Sequence, residues 1–197
     1  MKTVLLLVAL AGCARAQNSD LGLLVGISGP TSSVEVNGSN VRIVSGSVGA
    51  HGQINYAAQL RETSAGRLYL ELPLLIGGHA TGTVAGTVHG SAGGVFFFTP
   101  GLRLNIAPHS RVSFYVAAGV GPAAFGESLT EVGKGFVRSS TGWTVSVAAD
   151  FGGGLDFRLT RLMSLRMEAR DFVTRKGLGG AQGHHHPIYG FGVGFHW

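Results

Sequence analysis

From Leu21 to Trp197 the apolar residues recur at every second position in segments of about ten residues. A period of two marks an extended strand with one apolar face, and about ten residues is what a tilted strand needs to cross a bilayer. The clearest segment is Leu68-Tyr69-Leu70-Glu71-Leu72-Pro73-Leu74-Leu75-Ile76, in which every even position is aliphatic. The same parity picks out eight segments in all. Their apolar faces are Leu21, Leu23, Val25 and Ile27 in the first; Ile54, Tyr56, Ala58 and Leu60 in the second; and the even positions 68–76 in the third. Phe96, Phe98, Leu102, Leu104 and Ile106 form the fourth, and Val112, Phe114, Val116, Ala118 and Val120 the fifth. Val145, Val147, Ala149, Phe151, Leu155 and Phe157 form the sixth, Met163, Leu165, Met167 and Ala169 the seventh, and Tyr189, Phe191, Val193, Phe195 and Trp197 the eighth.

The charges test this pattern, because the apolar residues alone set the parity. Arg61, Glu71, Arg103, Asp150, Asp156, Arg158, Arg166, Glu168 and Arg170 all fall on the opposite face. Asp171 breaks the rule, at a strand end where a charge costs little. Apolar side chains outside and charges inside predict an all-β fold, an eight-stranded antiparallel up-and-down transmembrane β-barrel. A soluble barrel would reverse the two faces, and with only 13% charged residues its surface would be very charge-poor. Five arginines and four acids in so narrow a lumen are expected to pair, leaving it plugged rather than open. Gly119, Gly121, Gly152, Gly154, Gly190, Gly192 and Gly194 share the inward parity, where small residues make room for bulky partners.

Composition agrees. A chain 45% hydrophobic is not disordered, and its 33 glycines follow no three-residue period, which excludes collagen. The apolar run Val4–Leu10 is far too short for a spanning helix, which needs roughly 20 residues. The net charge of +5 is slight and scattered, so nucleic acid is not an expected partner. Connections are expected to alternate between long (29–47, 77–94, 123–142, 174–187) and short (62–66, 107–111, 160–161). Long external loops and tight periplasmic turns alternate in this way in outer-membrane barrels, which puts both termini in the periplasm. Residues 1–16 read as a signal peptide: a basic Lys2, an apolar core, and Ala14-Arg15-Ala16 before the cut. Leu10-Ala11-Gly12-Cys13 also has the form of a lipobox, in which a signal of residues 1–12 would precede a lipidated Cys13. Residues 17–197 are then one barrel domain.

The ending Tyr189-Gly-Phe191-Gly-Val193-Gly-Phe195-His-Trp197 resembles the C-terminal signal by which bacterial outer-membrane barrels are recognised for assembly, with Trp in place of the usual Phe. Residues 150–158 and 164–172 resemble the penultimate hairpin of small OmpA/OmpX-like barrels. The resemblance implies an outer-membrane location among lipid and lipopolysaccharide, with periplasmic chaperones and the barrel-assembly machinery as partners in biogenesis. It is specific for architecture. Such barrels include anchors, adhesins, small-solute conduits and a few lipid-modifying enzymes, and no peptidoglycan-binding segment follows Trp197 in this sequence to imply anchoring.

Motifs for chemistry are sparse. Gly119-Val-Gly121-Pro-Ala-Ala124 has the spacing of a dinucleotide fingerprint, but no helix start comes after it to hold phosphate. His184, His185 and His186, with His79 and His89, are candidate metal ligands lacking a carboxylate or thiol partner. His51, Ser128, Ser139 and Ser140 are candidates for a hydrolytic rim pair, though no spacing fixes a base and an orienting acid. Glu71 and Asp150 could act as acid and base, but interior arginines would hold both ionised. No cofactor is expected. Phe96, Phe98, Trp143, Phe172 and Tyr189 at one level, and Phe114, Phe157, Phe195 and Trp197 at the other, are expected to form two interfacial girdles. The function expected is structural or surface interaction with an extracellular ligand, without enzymatic activity. A small-solute pore or lumen-binding barrel is the alternative, and a lipid-modifying enzyme the third reading.

Overall fold

The computed structural model describes residues 18–29, 33–37, 40–44, 49–64, 66–85, 87–133, 136–176 and 182–197. The expected signal peptide and Cys13 lie outside these residues. The strands are β1 (Ser19–Ser28), β2 (Ser33–Asn37), β3 (Asn40–Val44), β4 (Gly49–Glu62), β5 (Gly66–Ala85), β6 (Thr87–Phe98), β7 (Gly101–Ile106), β8 (Val112–Gly133), β9 (Phe136–Arg158), β10 (Met163–Lys176) and β11 (Gln182–His196). β2 and β3 form a separate hairpin. The other nine form one antiparallel sheet that closes on itself, because β1 pairs with both β4 and β11.

These nine strands make eight crossings. β6 and β7 are successive parts of one crossing between β5 and β8, interrupted at Thr99-Pro100. Proline has no N–H to donate to the ladder, and the interruption keeps its carbonyl in use: Val120 N–H donates to Pro100 O at 3.2 Å. The expected fourth segment is therefore a broken strand.

Parity decides which face is which. None of the residues assigned to the apolar face is buried, and Val25, Ile76, Val120, Met167 and Phe191 are more than half exposed. A belt of large aliphatic side chains around a closed sheet is the outer face of a membrane barrel, and the soluble alternative is excluded. Val116 stands near the middle of the outward stretch 112–120 and is 52% exposed. Val116→Arg is expected to cost about 2–4 kcal/mol by placing a charge in hydrocarbon. Urea titration of the barrel folded into vesicles reads this loss, and a cost near zero would mean that the belt does not contact lipid.

The expected long loops are corrected. Residues 77–94 and 123–142 are mostly paired strand: β5 and β6 stay in register to Ala85↔Thr87, and β8 and β9 to Gly133↔Phe136. The expected loop 174–187 is likewise shortened, because β10 and β11 pair out to Lys176↔Gln182. Backbone pairing does not need an apolar face, so the ladder continues where the alternation fades into Gly, Ser and Thr. At about 3.3 Å per residue, the 22 residues of β8 reach well beyond the roughly 30 Å of a hydrocarbon core. The opposite end is closed by short turns, as in Thr63–Gly66, where Thr63 N–H donates to Gly66 O at 2.9 Å.

One aromatic assignment is overturned, that of Phe172. Trp143, Tyr189, Phe114, Phe157 and Trp197 lie exposed on the outer face. Phe172 is fully buried, because it sits an odd number of residues from Met163, Leu165 and Met167 and so points into the lumen rather than joining a girdle.

Candidate functional site: a filled lumen and its short-turn mouth

The lumen is built in three levels. Nearest the short turns, Arg166 lies between two carboxylates. Its Nε donates to Asp156 Oδ1 at 2.7 Å, and its Nη2 donates to Asp20 Oδ2 at 2.8 Å. Arg103 joins Asp20 to the next level, with Nη2 3.0 Å from Asp20 Oδ2 and Nη1 3.5 Å from Glu71 Oε1. Its guanidinium also lies over the Tyr69 ring, 4.8 Å from the centroid. At mid-height Arg170 donates from Nη2 to Glu71 Oε2 at 2.6 Å and from Nη1 to Asp150 Oδ2 at 2.8 Å. Glu168 accepts from Gln53 Nε2 at 2.6 Å, Tyr115 Oη at 2.5 Å and Arg170 Nη2 at 3.2 Å. All of these charged groups are at most 5% exposed.

The inward glycines make this layer possible. A Cβ on Gly154 would stand 2.5 Å from the Tyr115 hydroxyl, and one on Gly22 would stand 2.7 Å from Arg166 Nη1. Any larger residue there would push a donor off its carboxylate.

Three members of the network differ from the sequence expectation. Arg61 is exposed, not interior. The β4–β5 register slips between Gln59 and Arg61, so that Arg61 stands opposite the outward Leu68, and one inserted residue reverses the parity of the residues beyond it. Arg158 sits half-buried at the rim and donates to Pro108 O at 2.9 Å instead of to a carboxylate. Asp20, one residue before the first apolar position, was not among the expected charges and is 1% exposed at the centre of the lower level. Among the described residues the buried layer thus holds three arginines and five acids, rather than the near balance expected.

Above the ions sits an apolar cap of Leu75, Phe97, Ala123, Phe125, Ala148, Phe172 and Ile188. The Phe97 ring packs on Phe172 at 4.5 Å and meets Phe125 edge-on at 5.6 Å. His186 stacks on Phe125 at 5.5 Å and contacts Thr174 Oγ1 at 3.2 Å. The histidine run lies on a strand, where consecutive side chains point to opposite faces. His185 accordingly lies outside, with Nδ1 2.5 Å from Asp171 Oδ2, so the structure does not gather His185 and His186 into one metal site. The side chains of His79, His89, His184 and Ser139 lie outside the described residues. Among the described residues the rim pair does not form either: both ring nitrogens of His51 are buried in the lumen without a hydrogen-bond partner there, and Ser140 is exposed on the β9 hairpin arm. Gly119–Ala124 is continuous strand, which leaves no helix N-terminus for a dinucleotide.

At the short-turn mouth there is a cavity of about 240 Å³ lined by Tyr69, Asn105, Ser164 and His196, with Arg67, Arg158 and Arg161 around it. Register builds its wall. Asp20 is opposite His196 on β11, and Ser164 is opposite Gly194, two residues from His196 on the same face. Ser164 Oγ is 2.9 Å from His196 Nε2, and His196 Nδ1 is 2.9 Å from Asp20 Oδ2. No sequence motif carries this group, because its members come from strands at opposite ends of the chain.

A closed antiparallel barrel with a lipid-facing belt and an ionic lumen defines the class: this is an outer-membrane β-barrel protein. Solved structures agree on the fold. Neisserial surface protein A superposes with a TM-score of 0.53 at 11% identity, over 90% of this chain and 96% of that one. The outer-membrane protease OmpT of Escherichia coli superposes with a TM-score of 0.51 at 7% identity, over 93% and 98% of the two chains. No family model and no curated protein matches the sequence.

Proposed function

We propose that this protein works as a plugged scaffold that presents β-hairpins at the surface for interaction with an extracellular ligand, and that it does not conduct solutes. The observation that supports this reading most is the lumen itself, filled by an ionic layer under an aromatic cap. A conduit needs a continuous polar path, and a cap of buried Phe side chains interrupts it. The β5–β6 and β8–β9 arms carry the sheet beyond the apolar belt, and the sequence of the first, from His79 to Gly94, carries no Asp, Glu, Lys or Arg. An uncharged ribbon of Gly, Ser and Thr offers backbone and hydroxyl hydrogen bonds to a neutral polar partner such as a glycan. Its termini and short turns lie in the periplasm on this reading, as in other barrels of even strand number.

The test pairs two measurements on the full chain. In planar bilayers, the folded protein is expected to give no stepwise conductance. On matrix-coated plates, bacteria displaying it are expected to adhere, and to lose adhesion when residues 80–92 are replaced by a short glycine turn while the barrel still shows its heat-dependent gel shift. Stable conductance, or adhesion that is indifferent to the hairpin, would overturn the proposal.

A further inference from the structure

The geometry at the short-turn mouth points to a second activity: we infer that Ser164, His196 and Asp20 form a nucleophilic relay that cleaves small esters bearing a negative charge. This goes beyond the surface reading, which concerns the other end of the barrel and stands or falls separately.

Two contacts assign the roles. With its proton on Nδ1, facing the Asp20 carboxylate at 2.9 Å, His196 is left with an Nε2 lone pair 2.9 Å from the Ser164 hydroxyl. That is the order of acid, base and nucleophile that activates a serine. Asp20 is held for the task. It is 1% exposed, and Arg166 at 2.8 Å and Arg103 at 3.0 Å both hold Oδ2, the same oxygen that faces the ring, so that it stays in place beside His196. The main chain that carries the ring is held as well: the His196 backbone N–H donates to Leu162 O at 2.9 Å, and Trp197 and Ser19 exchange backbone hydrogen bonds beside it. Gly194 keeps the space open, since a Cβ there would come 2.7 Å from Ser164 Oγ.

Polar filling alone does not account for the arrangement. Ser164 already has a buried acceptor in Asp156 Oδ1, but at 3.4 Å, and it makes its shorter contact to His196. Both residues also line the cavity of about 240 Å³, whose volume suits a short acyl group. The substrate class comes from the other lining groups. Arg67, Arg158 and Arg161 surround the same space, and guanidinium groups bind carboxylates and stabilise the oxyanion of a tetrahedral intermediate.

In the acylation half-reaction, Ser164 Oγ adds to the ester carbonyl carbon as its proton passes to His196 Nε2. The carbon–oxygen bond to the alcohol breaks, and the alcohol leaves with that proton. Water then attacks the acyl-Ser164 ester, giving one proton to His196, which returns it to Ser164 Oγ as the carboxylic acid is released.

The full chain folded in detergent is treated with a small fluorophosphonate and, separately, with 4-nitrophenyl succinate. The expected result is a single phosphonylated peptide containing Ser164, and a hydrolysis rate that falls at least about 100-fold in Ser164→Ala and His196→Gln. Both variants are checked for the heat-dependent gel shift of the folded barrel. Ser164→Cys keeps a nucleophile in place should the alanine variant fail to fold, and its thiol is expected to alkylate faster when His196 is present than in the double variant with His196→Gln. Labelling at another serine, no labelling of the folded protein, or an unchanged rate in a folded Ser164→Ala variant would overturn the inference.

Discussion

Arg170→Met is expected to lower the stability of the folded barrel by about 3–5 kcal/mol, because it removes one partner from a buried ionic cluster. Arg170 is 3% exposed and donates to Glu71 at 2.6 Å and Asp150 at 2.8 Å, while also reaching Glu168. Met fills much of the same volume, so the loss reads charge and not packing. Among the described residues acids already outnumber arginines in this layer, which leaves no spare cation to take over. Arg170→Lys is expected to recover only part of the loss, since one ammonium cannot serve three carboxylates in the fixed fork of a guanidinium. The measurement is urea unfolding in vesicles, tracked by the gel mobility of the folded band. A midpoint unchanged in Arg170→Met would mean that the layer is wet and the lumen open, and it would remove the basis for a plugged scaffold.

The fold was legible because lipid imposes a rule that sequence must obey. Outward side chains in the hydrocarbon stretch of a crossing have to be apolar, so Leu68–Ile76 announces both a strand and its faces. Where that rule lapses, so does the reading. The extended arms of β5, β6, β8 and β9 stand beyond the apolar belt, and their Gly, Ser and Thr residues carry no parity to read. A bulge is silent for a related reason. The slip between Gln59 and Arg61 changes the face of Arg61 without changing its spacing from the residues before it.

The interior was half legible. Glu71, Arg103, Asp150, Asp156, Arg166, Glu168 and Arg170 are buried where their parity puts them. Which arginine serves which acid depends on the stagger of eight crossings, and a period of two says nothing about stagger. Asp20 shows what a signal would have been: it has the inward parity of its strand and lies one position outside the apolar count. Ser164 and His196 meet only through cross-strand pairing of β10 with β11, and Asp20 joins them because the first strand closes on the last.

Phe172→Ala is expected to cost about 3–5 kcal/mol, the range for removing a fully buried aromatic ring. Phe172 is 0% exposed, and its ring lies 4.5 Å from Phe97, which in turn meets Phe125 at 5.6 Å. Phe191→Ala serves as the comparison: that ring is 66% exposed on the outer face, where lipid can close over the gap, so its loss is expected to be smaller. The same urea titration reads both. The cap variant also separates two ideas of how the lumen is sealed. A void lined by Leu75, Phe97, Phe125 and Ile188 is apolar, and apolar voids of this kind stay dry. Phe172→Ala is therefore expected to weaken the barrel without giving it conductance, because the ionic layer beneath still spans the lumen. Conductance appearing in this variant would show that the ring alone holds the seal, and that the charged side chains below leave a path for water.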